Sequence, residues 1–324
     1  MRNTQAWTEA FVQSTRDVTP TVREITLRPA AGAAPHAPGS HLQVQVLVAG
    51  KPQTRSYSLV GLPDPQVWRI AVKRLDDGKG GSLAMWRLAP GDRLQVTGPQ
   101  NHFHMDLTAP AYLLVAGGIG ITPLVLMAQT LKSRGARMRM VYGARTPEEL
   151  AYADVLAPVL GDALHTHASG NGAHIDFAAE IGALPAGAQM YLCGPVGMLD
   201  AARRAWAHAG RPPANLRYET FGSSGRFAPQ AFRVLVPRHQ LDITVPADCS
   251  MLDALDQAGI MTIFDCRRGE CGLCAMNVLA VDGEIDHRDV FLSDHEKDEG
   301  HSICACVSRV LGTITLDSAY RPDA

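Results

Sequence analysis

The sequence predicts a chain of three domains: an antiparallel β-barrel, an α/β domain built on a parallel sheet, and a smaller α+β domain. The length of 324 residues is about twice that of a typical single domain. Near residue 107 the pattern changes from short alternating strands to strands that alternate with helices. A glycine- and serine-rich segment precedes the C-terminal part. We therefore expect domains at 1–106, 107–222 and 232–324, with a linker over 223–231.

Hydrophobic periodicity predicts the elements of each domain. Short alternating runs between Gly and Pro residues indicate the barrel: Val22–Leu27, Leu42–Val46 and Trp68–Val72. Apolar strands followed by helices indicate the parallel sheet: Leu113–Val115, a helix after Pro123, Met138–Tyr142, a helix around Pro147–Val155, Met190–Cys193 and a helix after Pro195. The last domain has a helix between strands: Phe232–Val236, Leu241–Val245, Ser250–Ala258 (helix) and Gly312–Leu316.

The composition is that of a chain with packed cores. Apolar residues make up 46% and charged residues 19%, which excludes disorder and a coiled coil as the main state. A formal net charge of −2 gives no electrostatic footprint for nucleic acid. Leu107–Leu131 is uncharged, but its glycines and Pro123 favour a strand, a turn and a helix over a membrane span. Met1–Gln13 has no apolar stretch typical of a signal sequence, so we expect a cytoplasmic protein.

The cysteines near the C-terminus carry the strongest functional signal. They form the pattern C-x4-C-x2-C followed by two further thiols: Cys266, Cys271, Cys274, Cys304 and Cys306. This spacing is typical of a plant-type [2Fe–2S] cluster, and Gly269 and Gly272 allow the loop to wrap tightly. A structural zinc site is the alternative, but it usually has two C-x2-C pairs.

A glycine-rich turn between a strand and a helix indicates nucleotide binding. The turn is Gly117-Gly118-Ile119-Gly120-Ile121-Thr122-Pro123. Its main chain could approach a pyrophosphate at a helix N-terminus, although a structural turn explains it equally well. Cys193-Gly194-Pro195 follows another buried strand and should lie at the same carboxyl edge of the sheet, where α/β folds bind nucleotides. Together the two segments predict a nicotinamide nucleotide.

The first domain contains two segments that suit a flavin mononucleotide. Arg55-Ser56-Tyr57-Ser58 taken alone is typical of an ordinary alternating strand. Gly78-Lys79-Gly80-Gly81-Ser82 could form an anion-binding nest from main-chain amides, a hydroxyl and an ammonium group. An arginine, an aromatic ring and such a nest suit a planar ring that carries one phosphate.

These motifs, in this order along the chain, resemble the phthalate dioxygenase reductase family over essentially the whole length. The resemblance also includes Cys306-Val307-Ser308-Arg309. It implies FMN, NAD and [2Fe–2S] domains, the last with an α+β ferredoxin-like (β-grasp) fold. It further implies electron transfer from NADH to a Rieske-type oxygenase or demethylase. A reductase for a separate ferredoxin or a cytochrome P450 is the alternative, and a redox-sensing flavoprotein is a second one.

The resemblance implies roles for particular residues, none of them an acid or base. For FMN, they are Arg55, Ser56, Tyr57, Ser58 near N5, Ala71, Val72, Lys73, Gly80, Gly81, Ser82 and Phe221 on the second face. For NAD, they are Gly117, Gly118, Gly120, Thr122, Arg145, Cys193 near the nicotinamide, Gly194 and Pro195. The cluster ligands are Cys266, Cys271, Cys274 and a fourth cysteine.

The fourth ligand is open between Cys304 and Cys306. Cys304 leaves 29 residues after Cys274, which is the gap of plant-type ferredoxins. Cys306 instead keeps the following strand in register, because a polar loop upstream absorbs two extra residues. We therefore expect Cys306 to be the ligand.

The charge distribution suggests how a partner is attracted. Residues 261–300 contain ten acidic and four basic residues. This excess suits steering toward a basic face on an oxygenase, although an ordinary solvated loop over 294–299 is the alternative. We expect a monomer with no nucleic-acid or membrane partner.

Overall fold

The computed structural model describes residues 6–48, 50–76, 80–172, 174–221 and 225–317. It divides into two compact units, with the division between Glu219 and Thr220. The first unit contains two sheets and the second contains one. The predicted fold class is confirmed: an antiparallel barrel, a parallel sheet with helices, and a C-terminal α+β domain follow each other along the chain.

The barrel is an antiparallel sheet that closes on itself. Its strands pair in the order β4-β3-β6-β1-β2-β5, with β7 beside β3. They are β1 (Trp7–Thr19), β2 (Val22–Pro29), β3 (Ser40–Val48), β4 (Lys51–Ser58), β5 (Trp68–Lys73), β6 (Arg93–Thr97) and β7 (Gln100–Asn101). An isolated bridge between Leu59 and Ile70 joins the two ends of this order. Among the described strands β4 pairs only with β3, so this single bridge makes the closure. A short helix, α1 (Gly81–Trp86), follows β5.

The parallel sheet has β8 at its centre. Its order is β10-β9-β8-β11-β12, and every residue of β8 is buried. The strands are β8 (Tyr112–Gly117), β9 (Met138–Ala144), β10 (Leu164–Ala168), β11 (Gln189–Cys193) and β12 (Leu216–Glu219). The helices are α2 (Thr122–Ser133), α3 (Ala153–Leu160), α4 (Phe177–Gly182) and α5 (Val196–His208).

The helix predicted around Pro147–Val155 begins later than expected. Pro147–Glu149 forms a single 3₁₀ turn, and α3 begins at Ala153. Tyr152 between them has a φ of 61°, a left-handed conformation that an α-helix cannot contain. Periodicity alone therefore merged two short elements into one.

The chain reverses direction across the sheet at β8. It moves from β8 to β9 and β10 on one side, and then returns to β11 and β12 on the other. Such a topological switch point leaves a crevice at the carboxyl ends of the two strands on either side of it. Here those strands are β8 and β11, in which Ala116 is paired with Cys193. The crevice therefore lies where the two predicted nucleotide-binding turns meet.

The C-terminal unit is a mixed sheet with the order β14-β13-β17-β15-β16 and a helix packed on it. Its elements are β13 (Phe232–Val236), β14 (Leu241–Val245), α6 (Met251–Gln257), β15 (Ala275–Asp286), α7 (Asp294–Glu299), β16 (Ser302–Cys304) and β17 (Arg309–Asp317). Helix α6 buries Met251, Leu252 and Leu255. Residues 294–299, expected as a loop, form α7, because Ser293 and Glu296 make a capping box.

Arg226 and Phe227 are bound by residues at the end of β15 and just after it. The Arg226 N–H donates to Asp286 Oδ1 at 2.8 Å, and Arg288 donates to the Phe227 carbonyl at 2.8 Å. Arg288 also forms a buried ion pair with Asp286 at 2.6 Å. This pair is satisfied on both sides, as a buried ion pair must be. No helix within the described ranges is both long and apolar enough to cross a bilayer.

Two facing glycines in the C-terminal sheet generate a stability prediction. Gly283 on β15 is paired with Gly312 on β17, and their φ angles are 122° and 120°. A Cβ on Gly283 would collide with the Leu311 carbonyl oxygen. We expect Gly283→Ala to lower the free energy of unfolding of this domain by about 2 kcal/mol, through backbone strain and the collision.

Chemical denaturation of the complete chain, followed through the C-terminal domain, measures this change. Leu279→Ala on the same strand is the control, because Leu279 is exposed and its truncation should cost no more than about 0.5 kcal/mol. Equal stabilities of Gly283→Ala and the unmodified chain would contradict the prediction.

Candidate cofactor sites

Arg55 packs against the start of α1. Its guanidinium therefore lies beside the glycine main chain of residues 80 and 81. A Cβ on Gly81 would lie 2.7 Å from Arg55 Nε, so a larger residue there would displace the guanidinium. Gly80 has a φ of 83°, which also favours glycine. The Arg55 guanidinium donates to the Thr54 carbonyl at 2.9 Å and to the Gln53 side chain. A fixed guanidinium beside glycine amides suits a phosphate group. Gly78 and Lys79 lie outside the described residues.

Ser58 provides the clearest test of whether a flavin fits. Its side chain is 4% exposed, and its hydroxyl has no hydrogen-bond partner among the described residues. Buried hydroxyls normally have a partner, so a ring nitrogen at this position would satisfy it. Tyr57 precedes it on β4, and burial raises the pKa of its phenol, which keeps the ring neutral. Ser56 is half-buried on the same strand.

The remaining predicted flavin residues lie on β5 and α1. The Val72 carbonyl accepts a hydrogen bond from the Trp86 indole at 2.9 Å, and Lys73 Nζ lies 3.8 Å from Glu149 Oε2. Ala71 is buried beside them. The Ser82 hydroxyl accepts from the Leu75 N–H at 3.1 Å, so it also joins α1 to the chain just after β5. Phe221 belongs to the C-terminal unit, where 42% of it is exposed.

The two predicted nucleotide-binding turns are in direct contact. A Cβ on Gly120 would collide with the Cys193 carbonyl, and one on Gly117 would lie 2.6 Å from Pro195 Cδ. Gly194 lies against Gly117 in the same way. Cys193 itself is fully buried. Glycine is thus required for packing at the crevice between β8 and β11, and the close approach leaves main-chain groups accessible to a dinucleotide.

A tyrosine that the sequence analysis missed fixes this turn. The Tyr142 hydroxyl donates to the Gly118 carbonyl at 3.2 Å, and Gly118 has a φ of 52°. Burial raises the pKa of Tyr142, so the hydroxyl remains a donor. The Thr122 hydroxyl donates to the Ile119 carbonyl at 3.0 Å. The position of Tyr142 at the end of β9, next to β8, is the signal that could have identified it.

Arg145 is the predicted nucleotide-binding residue that follows β9, the second strand of the parallel sheet. It is exposed, directly after β9, and its carbonyl accepts from the Gly170 N–H at 2.8 Å. In α/β nucleotide-binding folds the residues after the second strand discriminate a 2′-hydroxyl from a 2′-phosphate. Its place after β9 is therefore consistent with the prediction that Arg145 influences that choice.

The first three cysteines line a loop whose amides point at sulfur. The amides of Arg268, Glu270 and Cys271 donate to Cys266 Sγ at 3.4, 3.5 and 3.4 Å. Gly269 and Gly272 have φ angles of 75° and 72°, as the wrapped loop requires. N–H donors to sulfur stabilise thiolates and raise the reduction potential of a cluster.

The thiols lie in two groups, Cys266 with Cys271 and Cys274 with both Cys304 and Cys306. A hydrogen bond from the Cys266 thiol lowers the pKa of Cys271 to about 6. Cys274 Sγ lies 3.2 Å from Cys306 Sγ, and hydrogen bonds from Cys304 and Cys306 lower the pKa of Cys274 to about 3. Within the described residues, no three His, Cys, Asp or Glu side chains are arranged around one metal ion. Two groups of thiols suit the two irons of a [2Fe–2S] cluster.

Cys304 and Cys306 differ in their surroundings. Cys304 is fully buried on β16, opposite Ala275, and Asp289 contributes to raising its pKa. Cys306 follows in the turn before β17, and it accepts a hydrogen bond from the Gly269 main chain. The cluster loop thus reaches the Cys306 sulfur directly.

Two further polar contacts beside the loop were missed by the sequence analysis. Glu270 accepts from the Thr220 N–H at 2.6 Å, and burial raises the pKa of this carboxyl. Asp289 is buried, and it accepts from the Ser308 hydroxyl at 3.0 Å and from the Leu292 N–H at 2.9 Å. The Glu270 contact holds the loop to Thr220, and the Asp289 contacts hold the segment after β15 to the residue before β17. Only long-range pairing could have identified them.

Sequence profiles of three families match successive parts of the chain. The oxidoreductase FAD-binding domain matches residues 12–105, the oxidoreductase NAD-binding domain residues 114–204, and the 2Fe-2S iron-sulfur cluster binding domain residues 236–311. Each match contains one of the candidate sites described above.

Similar proteins share the whole arrangement. Phenoxybenzoate dioxygenase subunit beta of Ectopseudomonas oleovorans is 39% identical over 88% of this chain and 89% of its own length. The heme-dependent oxidative N-demethylase beta subunit of Ectopseudomonas mendocina is 36% identical over 94% and 97%. A solved structure of phthalate dioxygenase reductase matches with a TM-score of 0.79 and 30% identity, covering 97% of this chain and 98% of that one. This chain belongs to the phthalate dioxygenase reductase family of NADH-dependent oxidoreductases, with flavin, NAD and [2Fe–2S] domains.

Proposed function

We propose that the chain takes hydride from NADH and delivers single electrons through a [2Fe–2S] cluster to a Rieske-type oxygenase or demethylase. The observation that carries this proposal is the pairing of Cys271 with Cys266 and of Cys274 with Cys306 in a chain that also has a nucleotide crevice. FMN, when bound, supplies the exchange between two-electron and one-electron transfer.

The names of relatives support an oxygenase as the acceptor. Two of the relatives are named as a dioxygenase subunit and an oxidative N-demethylase subunit, and a third is phthalate dioxygenase reductase. The proposed acceptor is therefore a separate protein rather than a small molecule. We further propose that the chain acts as a cytoplasmic monomer, with domains at 1–106, 107–222 and 232–324 and a linker at 223–231.

In this proposal the barrel residues orient the flavin. Arg55 and the main chain of Gly80–Ser82 hold its phosphate, and the Ser58 hydroxyl donates to N5. Tyr57 packs on the ring, and the main chain of 71–73 lines the polar edge. The supporting observations are the unsatisfied Ser58 hydroxyl and the contact of Arg55 with Gly81.

The crevice residues position the nicotinamide nucleotide. The turn Gly117–Thr122 holds the pyrophosphate, Gly194 and Pro195 close the crevice, and Cys193 lies near the nicotinamide. No side chain acts as an acid or a base, because hydride transfer needs only alignment of donor and acceptor. Contact between the two turns supports this arrangement.

Cysteines 266, 271, 274 and 306 hold the cluster in this proposal. The hydrogen bond from the Gly269 main chain to Cys306 supports Cys306 over Cys304. Cys304 is also fully buried in the strand pairing of β15 and β16, where it contributes to the core.

Steady-state reduction of cytochrome c tests the proposed function. With NADH the complete chain should reduce cytochrome c through many turnovers, which a redox sensor need not do.

We expect kcat/KM with NADH to exceed that with NADPH. Arg145→Ala should leave kcat/KM for NADH within about threefold, because Arg145 is exposed after β9. A kcat/KM for NADPH equal to or above that for NADH would contradict the expected donor.

The flavin released by heat should be FMN. Arg55 and the turn Gly80–Ser82 suit a terminal phosphate, and we find no segment dedicated to an adenosine. Chromatography of the supernatant against FMN and FAD standards identifies the flavin. FAD as the main product would contradict this prediction.

Serine substitutions identify the fourth cluster ligand. Cys306→Ser should lose or distort the [2Fe–2S] electron paramagnetic resonance signal of the dithionite-reduced protein, whereas Cys304→Ser should keep it. The two substitutions change the same atom at neighbouring buried positions, so each serves as the control for the other. The opposite result would assign the ligand to Cys304.

A further inference from the structure

Two large apolar side chains lie exposed at the cluster-binding loop. Leu273, between Cys271 and Cys274, is 52% exposed, and Phe291 is 48% exposed. A Cβ on Gly272 would collide with the Phe291 ring, so the ring lies directly against the loop. Exposed apolar groups that lie on one loop surface in this way are typical of interaction sites.

The segment that carries Phe291 is fixed to the loop. The Val290 N–H donates to the Gly269 carbonyl at 2.9 Å. The Lys297 ammonium donates to the Asp289 carbonyl at 2.8 Å, and the Asp289 carboxylate accepts from the Leu292 N–H. The apolar pair is therefore presented on an ordered surface, which reduces the entropy cost of binding a partner.

Carboxylates border this surface on α7. The helix carries Asp294, Glu296, Asp298 and Glu299, all exposed, against one Lys297, a formal net charge of −3 in a chain of −2. The capping box at Ser293 fixes its first turn. Other acidic residues of the region do not contribute here: Asp286 and Asp289 are buried, and Asp282 and Glu284 lie along β15, about 26 and about 33 Å from Cys274 at about 3.3 Å per residue.

We propose that Leu273, Phe291 and the carboxylates of α7 form the docking surface for a separate redox protein with a basic face. The proposal rests on the proposed function, because it places the electron acceptor on the loop that holds Cys271 and Cys274. The apolar pair supplies the desolvated centre of the interface, and the carboxylates supply attraction that decreases as salt is added. A small anionic acceptor gains nothing from this surface.

Two matched pairs of variants test the surface, with cytochrome c as a basic protein acceptor and ferricyanide as a small anionic one. Asp298→Lys with Glu299→Lys is compared with Asp282→Lys with Glu284→Lys, which changes the net charge equally. Leu273→Ser is compared with Leu279→Ser, since Leu279 is 58% exposed on β15. The α7 reversal should lower kcat/KM for cytochrome c roughly tenfold at low ionic strength and flatten its salt dependence. The β15 reversal should change kcat/KM for cytochrome c by less than about twofold.

Leu273→Ser should lower kcat/KM for cytochrome c at every ionic strength, with ferricyanide reduction and the cluster resonance signal unchanged, and Leu279→Ser should change none of them. Equal losses in the α7 and β15 reversals would overturn the proposal, since only overall charge would then matter. If Leu273→Ser loses the cluster signal, that variant no longer tests docking. The comparison of the α7 and β15 charge reversals then decides whether the proposal holds. Failure of the unmodified chain to reduce cytochrome c while it reduces ferricyanide would overturn the proposed function itself, and the docking surface with it.

Discussion

All three candidate sites depend on the main chain coming closer to another group than a Cβ atom allows. Gly81 admits the Arg55 guanidinium, Gly120 admits the Cys193 carbonyl, and Gly272 admits the Phe291 ring. Each approach exposes or aligns main-chain N–H groups, which are the donors that phosphates and sulfur atoms require. A Cβ at Gly120 would collide with main chain, whereas at Gly81 and Gly272 it would displace the side chain of Arg55 or Phe291. The rest of each domain serves to hold these close contacts in place.

The surrounding architecture supplies the rigidity that these contacts need. Closure of the barrel at Leu59 and Ile70 fixes β4, on which Arg55 and Ser58 lie. The fully buried β8 sets the carboxyl edge of the parallel sheet, and Tyr142 holds the glycine turn there. In the C-terminal unit, pairing of β15 with β16 and β17 places Cys274 beside Cys304 and Cys306. Electron transfer benefits from such rigidity, because a site that does not rearrange holds its redox groups in one geometry.

The C-terminal unit uses its charges in two different ways. Inside, Asp286 pairs with Arg288, and Asp289 accepts a hydrogen bond from Ser308. Asp286, at the end of β15, also accepts from the Arg226 N–H. Outside, the carboxylates of α7 remain exposed beside Phe291 and Leu273. A count of acidic residues over 261–300 does not separate the two groups. Only the second can attract a partner, because buried charges that are paired contribute little field at the surface.

The sequence by itself determined the fold class and the three classes of cofactor, and it predicts the first three cysteines of the cluster. Those features depend on local patterns: strand periodicity, turns rich in glycine, and the spacing of Cys266, Cys271 and Cys274 within one loop. Tertiary structure decided what depends on residues far apart in the chain. It placed Cys306 within hydrogen-bond reach of Gly269, brought Tyr142 to Gly118, and formed α7 from a segment that composition alone suggested was a loop. Such contacts depend on strand order and register, which side-chain periodicity does not encode.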